Sequence, residues 1–327
     1  MSSPSYSQRP PMLPLARRLR AYFAPVERDA GTPAIFAPGK HGAFPLDVPP
    51  APWVSVGWIE NFRRTPATRS ECLRAGSKGA AAAQFRAQLE ARVEFDFQEW
   101  GKLQMALAGG SQHMNVLAED LNSEPQPSGG VPLSAVAVQP GSTAGELVLG
   151  SGTVDAFATG DLVAVDLDYQ QQTGHVGSGI AAAYVRDPLE VLLDPHYIRR
   201  VTFNLGRVES KTSTALILAQ PLLGGAPPAG AQVQKVVAFV DREGGSFFQQ
   251  WSALFVLAEE SGGRVCFYYP RLESAAPARE TVFEVAAPIS GCALHAAFLA
   301  LPYKDINDSE QVVCYRSYFP AATAALY

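Results

Sequence analysis

The chain has 327 residues, 47% of them hydrophobic and only 17% charged, with 28 glycines and 26 prolines. That balance excludes a disordered chain, which would be poor in apolar residues, and a long coiled coil, which could not carry so much glycine and proline. A net charge of −5 excludes a global basic field for gripping nucleic acid, and so little charge predicts an outside largely covered by copies of the chain or by partners.

Its length predicts two domains, or one core carrying a large insertion. Residues 1–50 are proline-rich and lack periodicity apart from a short basic amphipathic patch at 13–23. They read as an extended N-terminal arm, because proline cannot donate into a central sheet. Arg17, Arg18 and Arg20 precede no apolar stretch of the secretory kind, and no apolar run approaches the roughly 18 residues of a membrane span. Cys72, Cys266, Cys292 and Cys314 are scattered singly and read as buried thiols, which predicts synthesis in the cytosol.

Residues 51–85 mix short strands and loops. From 88 to 98 the alternation is strict: Leu89, Ala91, Val93, Phe95 and Phe97 fall on one face, and Glu90, Arg92, Glu94 and Asp96 on the other. A period of two over eleven residues predicts a long, half-buried antiparallel strand. Trp100, Leu103 and Leu107 then fall at helical spacing, and Gly109-Gly110 ends that helix. Residues 121–146 are turn-rich. Short strands at 146–149, 161–169, 179–185, 200–205 and 213–219 predict a small β-barrel or sandwich, with the glycine–proline stretch 224–230 as a linker behind it. Strands are predicted again at 233–240, 251–259, 264–269, 280–287, 294–303 and 311–318.

No catalytic chemistry stands out. Asp161, Asp166 and Asp168 lack the spacing of a cation loop, and Asp194 with His196 has no partner cluster. Five histidines, His113 among them, mark no base beside a nucleophile, and Gly174–Gly179 does not open a helix as a phosphate loop would. The expectation is a protein that is not an enzyme, with no cofactor, no metal and no catalytic residues.

Residues 58–117 carry a family likeness, above all VEFDFQEWGKLQMALAGG, where a strand passes into a short helix. A second block, GGRVCFYYPRLESAAPARETVFEV at 262–285, has the glycine hairpin and the following F-x-x-P-R strand, and FLALPYKD at 298–305 supplies the closing segment. These blocks resemble the major tail proteins, the tail tube subunits of tailed bacteriophages. The resemblance implies a mainly β, tail-tube sandwich or barrel fold with one short flanking helix. It implies subunits closing into rings of six, and rings stacking into a hollow tube through which DNA passes without specific binding.

The expected layout is an arm at 1–50, a first tube part at 51–128, an inserted β-domain decorating the outer wall at 129–231, and a second tube part at 232–327. Leu89, Val93, Phe95, Phe97, Trp100, Leu103 and Leu107 are the candidates for the tube wall and subunit interface. Glu90, Glu94 and Asp96 are candidates for a lumen whose carboxylates repel DNA, unless that face meets another subunit through Arg92. Expected partners are the chain itself and other tail proteins, with no membrane, and the expected location is the virion tail after assembly in the host cytoplasm. Alternatives are another tail or baseplate component, the inner tube of a contractile injection system, and a carbohydrate-binding β-module.

Overall fold

Alternating apolar residues make strands whose inner faces must be buried, and here they are buried in two curled sheets. The computed structural model describes residues 16–26, 32–50, 52–66, 69–75, 80–110, 112–127, 129–166, 204–222, 225–242, 250–259, 262–275, 279–281 and 293–320. In chain order the elements are β1 (Ala16–Pro25), α1 (Pro38–His41), β2 (Val54–Pro66), β3 (Arg69–Ala75), β4 (Ala80–Gln88), β5 (Ala91–Phe97), α2 (Lys102–Gly109) and β6 (Gln112–Leu117). There follow β7 (Val136–Ala137), β8 (Glu146–Val148), β9 (Leu162–Asp166), β10 (Leu205–Lys211), β11 (Ala215–Leu218) and β12 (Gln232–Arg242). The last are β13 (Gln250–Glu259), β14 (Arg264–Ser274), β15 (Arg279–Thr281), β16 (Ala293–Ala300), β17 (Tyr303–Lys304), β18 (Gln311–Val312) and β19 (Tyr315–Phe319).

The chain is therefore mainly β. Six antiparallel strands in the order β16–β5–β2–β1–β13–β14 close into a barrel, because β14 pairs back to β16 from Leu272↔Ala300 to Ser274↔Phe298. Over its first half β14 pairs instead with β19. The interior is packed with aromatic rings: Phe23, Phe95, Phe97, Phe255, Tyr269 and Phe298 are all fully buried. Phe255 lies 5.4 Å edge-on from Phe95, and Phe95 stacks 5.8 Å from Phe298. Leu107 of α2 closes the same core. A barrel this narrow is filled by its own side chains and leaves no pore.

Two expectations fail here. The arm does not hold for β1, which lies between β2 and β13 with Ala21, Tyr22, Phe23 and Ala24 buried. Proline is confined to the end of this strand at Pro25, so a nine-residue stretch free of proline sits inside a proline-rich window. The eleven-residue strand is also divided. Pairing stops at Leu89 and Glu90, β5 has seven residues, and the longest strand among the described residues is the thirteen-residue β2.

After β1 the chain crosses the outside of the barrel. Phe36, Phe44 and Trp53 pack there on Tyr22, Leu254, Val256, Cys266 and Tyr268. The Tyr22 hydroxyl donates to the Leu46 carbonyl and the Tyr268 hydroxyl to the Ala34 carbonyl, each at 2.8 Å. Among the described residues this layer covers the β1–β13–β14 side and does not extend over β2, β5 and β16.

The helix ends as its sequence predicts, with Gly110 left-handed at φ 54°. A Cβ there would stand 2.5 Å from the Ser274 hydroxyl and 2.6 Å from its Cβ. Gly110→Ala should therefore cost about 1–3 kcal/mol in urea unfolding, from φ strain and the clash together; a loss below a few tenths would refute the clash.

The second sheet runs β6–β12–β9–β10–β11–β8, with β7 also on β12. Val138 N–H donates to Ala231 and Gln139 N–H to Val148, so the 136–139 segment bridges β12 to β8 and the sheet curls shut. Val138, Leu147, Val163, Val165, Leu216 and Val233 belong to its separate core. β6 and β12, which reach outside the expected 129–231, pair with each other in this sheet, so its strands run from residue 112 to residue 242. Of the expected linker 224–230, the described residues 225–230 lie between β11 and β12 of this sheet, with Gly225 and Gly230 at φ 78° and 88°. Of the strands expected in the insertion, the 179–185 one, most of 200–205 and Asp168, Asp194 and His196 lie outside the described residues.

Candidate functional site

Among the described residues a ribbon stands outside the larger sheets. β3 and β4 pair from Arg69↔Gln88 to Ala75↔Ala80 and form a two-stranded sheet of their own. They continue the β2–β5 hairpin past its last barrel pair, Pro66↔Ala91. At about 3.3 Å per residue the seven residues of β3 span roughly 23 Å. A lone two-stranded hairpin is marginal in water, which makes it a segment that gains most from being covered. Between 69 and 88 it carries Arg69, Arg74, Lys78 and Arg86 against one acid, Glu71. The turn signal Gly-Ser-Lys-Gly at 76–79 between two strand-length runs was the clue to it in the sequence.

Where that hairpin leaves the barrel, a cleft of 560 Å³ opens among Thr65, Glu90, Arg92, Glu273, Ser274 and Leu299. Arg92 is held 3.3 Å from Glu94. On the inner side of the same end, the Arg64 Nε donates to the Tyr269 hydroxyl, and the guanidinium lies 5.7 Å over the Phe267 ring.

The uncovered β2–β5–β16 face is polar. Asp96 accepts from Asn61 Nδ2 at 2.6 Å, and its other oxygen lies 2.7 Å from His295 Nδ1. Asn61 holds φ 53° at the irregularity between Glu60 and Arg63, a conformation asparagine tolerates better than most residues. Gln98 donates to Glu60 on the same face.

The predicted residues thus separate. Val93, Phe95, Phe97 and Leu107 are 0–2% exposed inside the chain's own barrel, so they line its wall and cannot meet another subunit. Leu103 packs at the edge of that core, and Leu89 is half-buried in the break before β5. Trp100 precedes α2 and is 43% exposed, off the apolar stripe it was predicted to join. Glu94 and Asp96 sit on the open face, already partnered within the chain, while Glu90 lines the cleft. The period-two signal named the two faces of β5 correctly; it could not say that the apolar one closes on itself.

Burial pushes the Cys266 thiol up to about 12, and burial likewise raises Tyr22, Tyr268 and Tyr269. Preference for the neutral thiol is fully present below its ordinary value near 9, and the stability it contributes is lost as pH rises towards 12. Unfolding midpoints should therefore fall steadily above pH 9; a flat profile to pH 11 would contradict the burial. Cys72 is exposed on β3. Iodoacetamide at pH 8 should label it in the folded protein and leave Cys266 unmodified until urea is added, as peptide mapping would show.

Among the described residues no three His, Cys, Asp or Glu side chains gather as a metal site, and no helix is long and apolar enough to cross a membrane. No protein-family model matches the chain, and no curated protein matches it in sequence.

Proposed function

We propose that the protein is a structural subunit of a phage tail tube, assembling through copies of itself into stacked rings, six-membered as in the family it resembles, around a DNA conduit. The observation that carries this reading is the basic β3–β4 hairpin, which pairs with nothing else among the described residues and so offers a ribbon for another copy to cover. A closed, ring-filled barrel gives such a subunit a rigid body, and the hairpin gives it a reach to the next one. The resemblance at 58–117 and 262–305 points the same way.

In this reading other tail proteins are the further partners, the virion tail is the location, and no cofactor or catalysis is involved. The open face bearing Glu94 and Asp96 borders the conduit, because the opposite side of the barrel is already covered by residues 32–53. Carboxylates there keep DNA phosphates from adhering, whereas arginines would hold them through counterion release.

Purified protein imaged by negative stain, alongside size-exclusion chromatography, tests the reading. Hollow filaments far larger than the 34.9 kDa chain are the expected result, and a monomer at every concentration would overturn it. The small barrel decorates the outer wall. Replacing residues 118–235 with Asn-Gly joins the paired Leu117 and Val236, and should leave filaments of smaller diameter.

A further inference from the structure

We infer that Lys102 and Asn115 join in an isopeptide bond, a covalent staple between the helix that closes the first barrel and a strand of the second sheet. The inference stands apart from the tail-tube reading. Lys102 Nζ donates a hydrogen bond to Asn115 Oδ1, and the same nitrogen lies 5.0 Å from the centre of the Phe239 ring. Asn115 is fully buried and Lys102 half-buried. Asn115 of β6 and Phe239 of β12 are register partners, so carboxamide and ring share one face of that ribbon, and Lys102 meets them there from α2. An amine in contact with a carboxamide oxygen also stands close to its carbonyl carbon, at the roughly 3–3.5 Å of a near-attack arrangement.

The place of the lysine is the second observation. Lys102 is the first residue of α2, and the first turn of that helix holds no acid. The partial positive charge of a helix N-terminus opposes an ammonium there and favours the neutral amine, which is the nucleophile. A free lysine at this position goes against the helix's charge preference; an acylated one does not. At eight residues α2 is also too short to hold its own turns in water, so a bond from its first turn to β6 fixes the end that would otherwise fray.

The step is a transamidation. The lone pair of Nζ forms a bond to Asn115 Cγ while the carbonyl electron pair moves onto Oδ1. One Nζ proton passes through solvent at the half-buried lysine to Nδ2. The Cγ–Nδ2 bond then breaks, its electron pair leaves with ammonia, and the carbonyl re-forms as a secondary amide. Nothing is oxidised or reduced, and no co-reactant is consumed. The reaction is slow between separate molecules, but groups held in contact react as if at effective concentrations on the order of 10⁵ M or more.

Mass spectrometry of the full-length chain tests this whether or not it forms tubes. The unfolded wild type should be lighter than its sequence by one ammonia, N-terminal processing aside. Trypsin cuts only after a free lysine or arginine, so the peptide VEFDFQEWGK, residues 93–102, should be missing from the digest and appear joined to the segment that holds Asn115. Lys102→Arg, which keeps a donor for Asn115, should restore both the full mass and a free 93–102 peptide, and Asn115→Ala should do the same. A wild type of full mass with a free 93–102 peptide overturns the bond. An ammonia loss that survives in Lys102→Arg also overturns it, because an asparagine has then cyclised on its own backbone. Should Asn115→Ala fail to fold, the wild-type mass and Lys102→Arg decide without it.

Discussion

Phe255→Ala should destabilise the first barrel by about 3–5 kcal/mol, the largest single effect expected from one side chain in this protein. The ring is fully buried and stands at the crossing of the core, 4.8 Å from Phe62, 5.4 Å from Phe95, 5.8 Å from Tyr269 and 6.0 Å from Phe23. Those partners come from β2, β5, β14 and β1, so the cavity would touch four strands at once and could not collapse around any one of them. The small barrel has its own core around Leu147, Val163 and Leu216. Calorimetry should thus resolve two transitions, of which only one moves. A uniform shift of the whole unfolding curve would mean that the two cores melt as a single unit.

Removing the hairpin should have the opposite signature: little change in stability and complete loss of assembly. Replacing residues 70–87 with Asn-Gly joins Arg69 to Gln88, which are already Cα partners, and keeps both barrel strands and the cleft. Because β3 and β4 belong to no larger sheet among the described residues, the barrel core loses nothing, and the unfolding midpoint should hold within about 0.5 kcal/mol. Size exclusion should show a monomer where the intact chain makes filaments. Filaments of normal length from the shortened chain would remove the hairpin from the assembly mechanism. A severe loss of stability would show that the hairpin packs on its own barrel instead.

The two barrels differ in how they could be read. Strand residues 91–97 announce themselves by alternation, and α2 by its stripe and its glycines, because both signals are local and need only the chain's own pitch. A small β-unit beyond residue 128 is legible in the same way from closely spaced strands and turns. Its true edges were not, since β6 and β12 look like any other strands until their partner is known. Composition alone misassigned β1 as an arm, because the prolines of residues 1–50 lie around that strand rather than within it.

The amino-acid sequence by itself determined the β class, the faces of β5, the helix with its Gly110 cap, and the charge imbalance of residues 69–88. Tertiary structure alone decided what those faces meet. Strand β1 finds β13 across more than half the chain, Ala16 opposite Glu259, and that pairing turns Phe23, Phe95 and Phe255 toward one another. Periodicity states which side chains share a surface, whereas closing a barrel depends on long-range pairing that no local window contains. The same closure places Glu273 of β14 beside Glu90, and leaves the hairpin in no larger sheet among the described residues.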